Sequence, residues 1–193
     1  MKVAIIDYGA GNTMSVKLAL QRIGVEAVLS DDADVLLAAD KVIFPGVGHA
    51  RHAMEQLRER GLDTLIPSLT QPVLGICLGM QLMCAHSEEG DTPGLGIFDE
   101  RVTLFPPAMK VPHMGWNTAI SVSEQQSDNV SAEGWYYFVH SYYVPVNRFT
   151  TLTCDYIQSF SAAMRRDNFY AAQFHPEKSG EAGQLLLEQF LQL

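Results

Sequence analysis

Val73-Leu74-Gly75-Ile76-Cys77-Leu78-Gly79-Met80-Gln81 decides the fold. Its first four residues form a short, unbroken apolar run, the pattern of a strand buried on both faces of a parallel sheet. Leu78 to Ala85 reads as the helix that follows. A cysteine therefore stands where strand turns into helix, with Gly75 and Gly79 two residues to either side. Small residues there leave room for a tight, strained turn.

The pattern parallels the Gly-x-Ser-x-Gly elbow that holds a nucleophile above a sheet, with sulfur in place of oxygen. The positive end of a helix dipole favours thiolate, the form that attacks carbon. Most free cysteines are simply small buried hydrophobes. Cys84, expected inside the following helix, and Cys154, in a strand-like run, are read that way. What separates Cys77 from them is a second stretch near the C-terminus.

That stretch is Gln173-Phe174-His175-Pro176-Glu177-Lys178, which ends the apolar run Phe169-Tyr170-Ala171-Ala172. Residues two apart in extended chain project to one side. Pro176 fixes its own φ and keeps His175 out of the helical region. An imidazole and a carboxylate can thus be held in register. Cysteine, histidine and carboxylate are the parts of an activated-thiol enzyme: nucleophile, general base and orienting group.

Upstream, strands and helices alternate. Lys2 to Asp7 is a buried strand, Tyr8-Gly9-Ala10-Gly11-Asn12 a glycine-rich loop, and a helix runs to Ile23 with Gly24 as its stop. The loop lacks the third glycine of a dinucleotide fingerprint, since Met14 stands there, so close approach to a partner or ligand is the better reading. Val25 to Leu29 is a strand, and Ser30-Asp31-Asp32 caps a short helix. Lys41 to Phe44 is the third strand and runs into Pro45-Gly46-Val47-Gly48. Helices follow to Arg60 and from Leu62 to Leu69. His49, His52 and Glu55 fall at helical spacing but read as a solvated face rather than metal ligands. This order predicts an α/β fold: a doubly wound, mostly parallel sheet with helices on both faces. In such sheets ligands bind at the carboxyl ends of strands, where the first loop, the Pro45–Gly48 turn, Cys77 and His175 all fall.

Downstream of the helix after Cys77 the texture changes. His86 to Asp91 is a polar loop. Short strands are expected over Arg101–Phe105, Asn117–Val122, Trp135–Val139, Thr150–Cys154, Ser161–Arg165 and Asn168–Ala172, as an antiparallel extension of the same sheet. Gly180 to Leu193 closes the chain as an amphipathic helix. Val111-Pro112-His113-Met114-Gly115-Trp116-Asn117 and the aromatic run Trp135 to Tyr143 are richer than core packing requires. Trp, Tyr and Met are enriched at interface cores.

The 193 residues read as one domain, 47% hydrophobic, with 13 basic against 22 acidic residues and a net charge of −9. That balance argues against nucleic acid or an anionic membrane as partner. Three scattered cysteines suit a reducing compartment. No export signal or membrane-length apolar run is read, so a cytoplasmic protein is expected, and the sequon Asn129-Val130-Ser131 reads as accidental.

Cys77 in Gly-x-Cys-x-Gly-x-Gln, with His175-Pro176-Glu177 downstream, resembles the class I glutamine amidotransferases. Asp7 to Asn12, Pro45 to Gly48, Pro112 to Asn117 and His175 to Ser179 narrow the resemblance to the glutaminase subunits of imidazole glycerol phosphate synthases, across the whole chain. Ala10 departs from a proline frequent in that family, which touches the shape of the first loop and not the chemistry. The resemblance implies L-glutamine as substrate and a Cys77–His175–Glu177 triad. It implies an oxyanion hole from the backbone N–H groups of Val47 and Leu78, with Gly46 and Gly48 easing rotation of the Val47 peptide. Gln81 and the His140-Ser141-Tyr142 backbone would grip the amino-acid end. No cofactor or metal is implied. The partner would be a (β/α)8-barrel cyclase subunit that receives the ammonia, met through Asn12, Trp116, Asn117 and Lys178. Two other readings fit the bare triad: a cysteine peptidase or γ-glutamyl hydrolase, and a non-catalytic thiol sensor.

Overall fold

The computed structural model describes residues 1–122 and 133–193. The Asn129 sequon lies outside the described residues. The first half alternates as expected: β1 (Val3–Ile6), α1 (Thr13–Arg22), β2 (Ala27–Ser30), α2 (Ala33–Leu37), β3 (Lys41–Gly46), α3 (Ala50–Glu59), α4 (Leu62–Ser68), β4 (Val73–Cys77) and α5 (Leu78–Leu82). Helix ends are set by local chemistry. Asp32 caps α2, its Oδ1 accepting from Asp34 N at 2.8 Å. Gly24 and Gly61 take positive φ just beyond α1 and α3.

The second half holds β5 (Cys84–Ser87), β6 (Thr92–Pro93), β7 (Phe98–Leu104), β8 (His113–Ser121), β9 (Gly134–His140), β10 (Tyr142–Tyr143), β11 (Thr150–Tyr156), β12 (Gln158–Arg166) and β13 (Phe169–Ala172). A 3₁₀ turn over Pro176–Lys178 and helix α6 (Gly180–Leu191) complete it. The main sheet runs β2-β1-β3-β4-β13-β12-β11-β8-β9. Every pairing from β2 to β13 is parallel; every pairing from β13 to β9 is antiparallel.

Three expectations are corrected. The helix after Cys77 ends at Leu82 rather than Ala85, and Cys84 opens β5 instead of lying within that helix. The expected polar loop from His86 starts inside this strand. Arg101–Phe105 falls largely within β7, which joins not the main sheet but a four-stranded one, β10-β7-β5-β6. The reason is local: Leu95 N bonds Leu82 O at 2.8 Å and Gly96 N bonds Cys84 O at 3.2 Å, so the returning chain takes the carbonyls a longer helix would have used.

Strand alternation divides the core. Val3 and Ile5 face a cluster with Leu20 of α1 and Leu186, Leu187 and Phe190 of α6. Ala4 and Ile6 face the opposite one, with Leu36, Met54, Leu57, Ile66 and Leu78. Helices therefore cover both faces, which is why β1, β4 and β13 are apolar throughout.

The glycines beside Cys77 supply space rather than unusual dihedrals. The positive φ, 55°, belongs to Cys77 itself. A Cβ on Gly79 would strike the Phe44 carbonyl oxygen of β3, and one on Gly75 would lie 2.8 Å from Met83 Sδ. The elbow thus stays shallow enough for α5 to press onto β3. Gly79→Ala should lower unfolding stability by about 1–3 kcal/mol, read as a shift in the urea midpoint; an unchanged midpoint would show that the elbow can give way.

Candidate active site

Cys77 closes β4 and His175 follows β13, and these strands are parallel neighbours. Ala172 pairs with Ile76, so residues 173 to 175 pass beside Cys77. On the other side Gly46 pairs with Cys77, which brings the β3 turn against the same position. A cavity of about 320 Å³ opens here, a size suited to a small metabolite. Its wall includes Val47, Gly48, Cys77, Leu78, Gln81 and His175.

His175 and Glu177 are almost fully buried. The His175 Nδ1 to Glu177 Oε1 distance is 2.8 Å. Ser179 holds the turn: its hydroxyl donates to the His175 carbonyl at 2.6 Å and accepts from Tyr137 N at 2.9 Å. Burial alone would push the His175 pKa down, but the Cys77 sulfur and the Glu177 carboxylate outweigh it and hold it up at about 10. The ring is therefore held toward its protonated form, with Nδ1 on the Glu177 carboxylate and Nε2 left without a hydrogen-bond partner among the described residues. The same sulfur acts at Tyr8, whose hydroxyl burial and the Cys77 charge push well above its ordinary range.

The remaining sequence-predicted residues divide clearly. Gln81, His140, Ser141, Tyr142, Val47, Gly48 and Leu78 all reach the cavity, as does Lys178 at its exposed edge. Gly46 packs behind it, where a Cβ would lie 2.6 Å from Gly79 N. Gly48 has φ +99° and open space around it. Asn12 begins α1, its carbonyl accepting from Val16 N at 3.3 Å, away from the cavity wall. In the first loop, Gly11 comes close to Pro45 O within this chain. Trp116 is exposed, and its ring meets Tyr137 edge-on at 6.2 Å. Asn117 is half-buried, its amide turned to His113 and to the Asp155 carbonyl.

Two residues with no role in the sequence reading appear here. Glu89 lines the cavity, and its Oε2 accepts from Ala50 N at 2.7 Å where α3 begins. Its signal was hidden inside an expected polar loop. Gln173 is fully buried, with its amide between Gln81 and Cys77. A lone amide ending an apolar strand was its only sign. His49, read as part of a solvated face, is exposed and also caps α3 by accepting from Arg51 N. His52 and Glu55 form an exposed pair at 3.9 Å. Among the described residues, no group of three or more His, Cys, Asp or Glu side chains is placed to hold a metal, and no helix is long and apolar enough to cross a membrane. All three cysteines are free and buried.

Residues 4–193 match the family model of the class-I glutamine amidotransferases. The imidazole glycerol phosphate synthase subunit HisH of Bacteroides fragilis (strain YCH46) is 58% identical, with both chains fully covered. The HisH subunit of Escherichia coli (strain K12) is 48% identical, again over the whole of both. Among solved structures, a glutamine amidotransferase superposes with a TM-score of 0.74 at 18% identity, covering 98% of this chain and 99% of that one. PurLQS from Thermotoga maritima gives a TM-score of 0.70 at 16% identity, covering 99% and 97%.

The raised His175 pKa has a sign that can be checked. A group whose folded pKa exceeds its unfolded value stabilises most below the unfolded value, and the gain is lost as pH rises through the folded one. Glu177→Gln removes one of the two partners that raise it. The wild type should exceed this variant in unfolding free energy most near pH 6.5, with the margin closing toward about 10. Urea unfolding across that window decides it, and a margin widening with pH contradicts the assignment.

Proposed function

Because this chain belongs to the class-I glutamine amidotransferases, in the branch of the imidazole glycerol phosphate synthase HisH subunits, we propose that it hydrolyses L-glutamine and passes the ammonia to a partner cyclase subunit. The observation that carries this reading is one small cavity walled by Cys77 and His175, with Glu177 behind the imidazole.

Cys77 attacks the side-chain amide carbon. His175, already favoured as imidazolium, delivers its proton to the departing ammonia, then takes one from the water that opens the γ-glutamyl thioester. Glu177 fixes the imidazole through Nδ1, leaving Nε2 for the chemistry. The tetrahedral oxyanion is met by the backbone N–H groups of Leu78 and Val47, each worth roughly 3 kcal/mol. Gly48 supplies the freedom for the Val47 peptide to turn, since Gly46 is pinned against α5.

Recognition of the amino-acid end uses charge and shape. Both amide protons of Gln81 are engaged, on Tyr142 O and Gln173 Oε1. Its carbonyl oxygen is left to accept, and with the Glu89 carboxylate it suits the α-ammonium. The Ser141 and Tyr142 backbone closes that end, behind His140.

The cyclase partner is a (β/α)8 barrel that joins the ammonia to a phosphoribulosyl formimino nucleotide, forming imidazole glycerol phosphate and an aminoimidazole carboxamide ribonucleotide for L-histidine. Docking keeps ammonia from bulk water, where it would protonate. The exposed Met114 and Trp116 pair across the β8–β9 ladder with Val139, which lines the cavity, and with Tyr137, whose ring centroid lies 6.0 Å from Lys178 Nζ, and they form the contact with Asn12 and Asn117 at its margin. The setting is a cytoplasmic pathway.

Cys77→Ala should cut ammonia release from glutamine by roughly a thousandfold or more while binding to the barrel subunit persists. Glutamate release from γ-glutamyl peptides in place of glutamine would favour a peptidase instead. Lys178→Glu should depress activity of the docked enzyme about tenfold more than that of the free chain; equal losses in both would remove Lys178 from the interface.

A further inference from the structure

Along and behind the cavity wall runs a line of groups whose bonds to one another the proposed chemistry leaves without a role. Asn117 Nδ2 lies 3.3 Å from His113 Nε2. His113 Nδ1 lies 3.1 Å from His140 Nε2. His140 Nδ1 lies 2.8 Å from the Tyr142 carbonyl oxygen. That oxygen also accepts from Gln81 Nε2 at 2.9 Å. The same Gln81 nitrogen donates to Gln173 Oε1 at 2.8 Å. Gln173 Nε2 then lies 3.8 Å from Cys77 Sγ.

The directions follow from valence. A carbonyl only accepts, so His140 carries a proton on Nδ1. A neutral His140 must then accept at Nε2, so His113 donates from Nδ1 and accepts the Asn117 amide at Nε2. Burial favours the neutral form of both rings, with pKa values lowered to about 4 for His113 and about 3 for His140. His113 is fixed further by stacking between Tyr156 at 4.1 Å and Phe138 at 4.9 Å. At the other end, Gln81 gives its protons away, so Gln173 must present its oxygen to Gln81 and its N–H to the sulfur. The β4–β13 register places Gln173 directly beside Cys77. A fully buried amide aimed at a reacting sulfur is a costly arrangement unless it is used.

We propose that Gln173 is a further catalytic residue, whose amide N–H donates to the Cys77 sulfur and stabilises its anionic form, with Gln81 as the positioning residue that sets the direction of that amide and the neutral His113–His140 pair holding in place the Tyr142 carbonyl to which Gln81 donates. This rests on the reading of Cys77 as the nucleophile. A donor to sulfur acts when the thiolate forms and again when the thioester breaks and the charge returns. It complements His175, which carries protons for the leaving ammonia and the attacking water.

The test reads the sulfur and not glutamine turnover. The full chain is alkylated with iodoacetamide and the Cys77 peptide is followed by mass spectrometry, apart from the buried Cys84 and Cys154. Gln173→Glu keeps the shape and the acceptor for Gln81 but removes the donor; Gln173→Met removes both. The titratable groups around the sulfur are Tyr8, His175 with Glu177 behind it, His140, and Glu89 and Lys178 across the cavity, all unchanged in these variants. Alkylation at pH 7 should slow about tenfold, more in Gln173→Glu because its carboxylate repels the thiolate, and should recover as pH is raised. A loosened pocket would instead change the rate equally at every pH. Profiles that superimpose on wild type, or are offset by a constant factor, overturn the proposal for Gln173. An unchanged profile in His113→Phe overturns the part assigned to the two histidines. Because no glutamine is consumed, loss of this effect stands apart from loss of glutaminase activity.

Discussion

The parallel pairing of β4 with β13 is the constraint on which the site depends. Nearly a hundred residues separate Cys77 from His175, yet Ala172 pairs with Ile76 and the next residues on both strands emerge together. A one-residue slip would turn Gln173 and His175 to the opposite face of the sheet. That register is held by burial: Phe169 to Ala172 and Val73 to Cys77 are buried along their whole length, between helices on both faces. The large apolar core thus does more than stabilise. It fixes the relative height of two strand ends to the precision that proton transfer needs.

Around this pairing the protein arranges its charges in two contrasting ways. His175 sits between sulfur and carboxylate and is driven toward its charged form. A short distance away, His113 and His140 sit among aromatic rings and each other and are driven toward neutrality. Burial acts in the same direction on all three rings. Only His175 has anionic partners strong enough to reverse it. The cavity region therefore sets one ring driven toward its charged form beside two driven toward neutrality.

The turn after His175 shows how loops are made rigid enough for this. Ser179 ties it to β9, Lys178 N bonds back to His175 O at 3.0 Å, and α6 begins at once. Tyr137, bonded through its own carbonyl to His175 N at 2.9 Å, turns its ring toward Trp116 and Lys178 on the outside. The exposed aromatic face and the His175 backbone are thus joined through Tyr137. That geometry gives the proposed docking surface a short mechanical path to the triad.

Much was legible from residue order. Apolar runs of strand length, glycine stops and an Asp cap placed the first half, because local propensity and burial agree there. Cys77 and the His175–Glu177 pair stood out because their residue types are chemically unusual at strand ends. Less legible were the end of α5 at Leu82 and the second sheet, since both depend on carbonyls claimed by chain that returns from Leu95 and Gly96. Gly75 and Gly79 were rightly read as leaving room for the turn, but which neighbours take that room was not legible, because the atoms of β3 and of the α5 end that exclude a Cβ are not written in a local window. Glu89 and Gln173 were missed on the same ground, as ordinary polar residues until distant partners surround them. The sequence by itself determined which atoms can react and which strands are apolar enough to be buried, because both are properties of single residues and their period. Only the tertiary structure decided which of those atoms meet, because register, tautomer and amide direction are set by contacts between residues far apart along the chain.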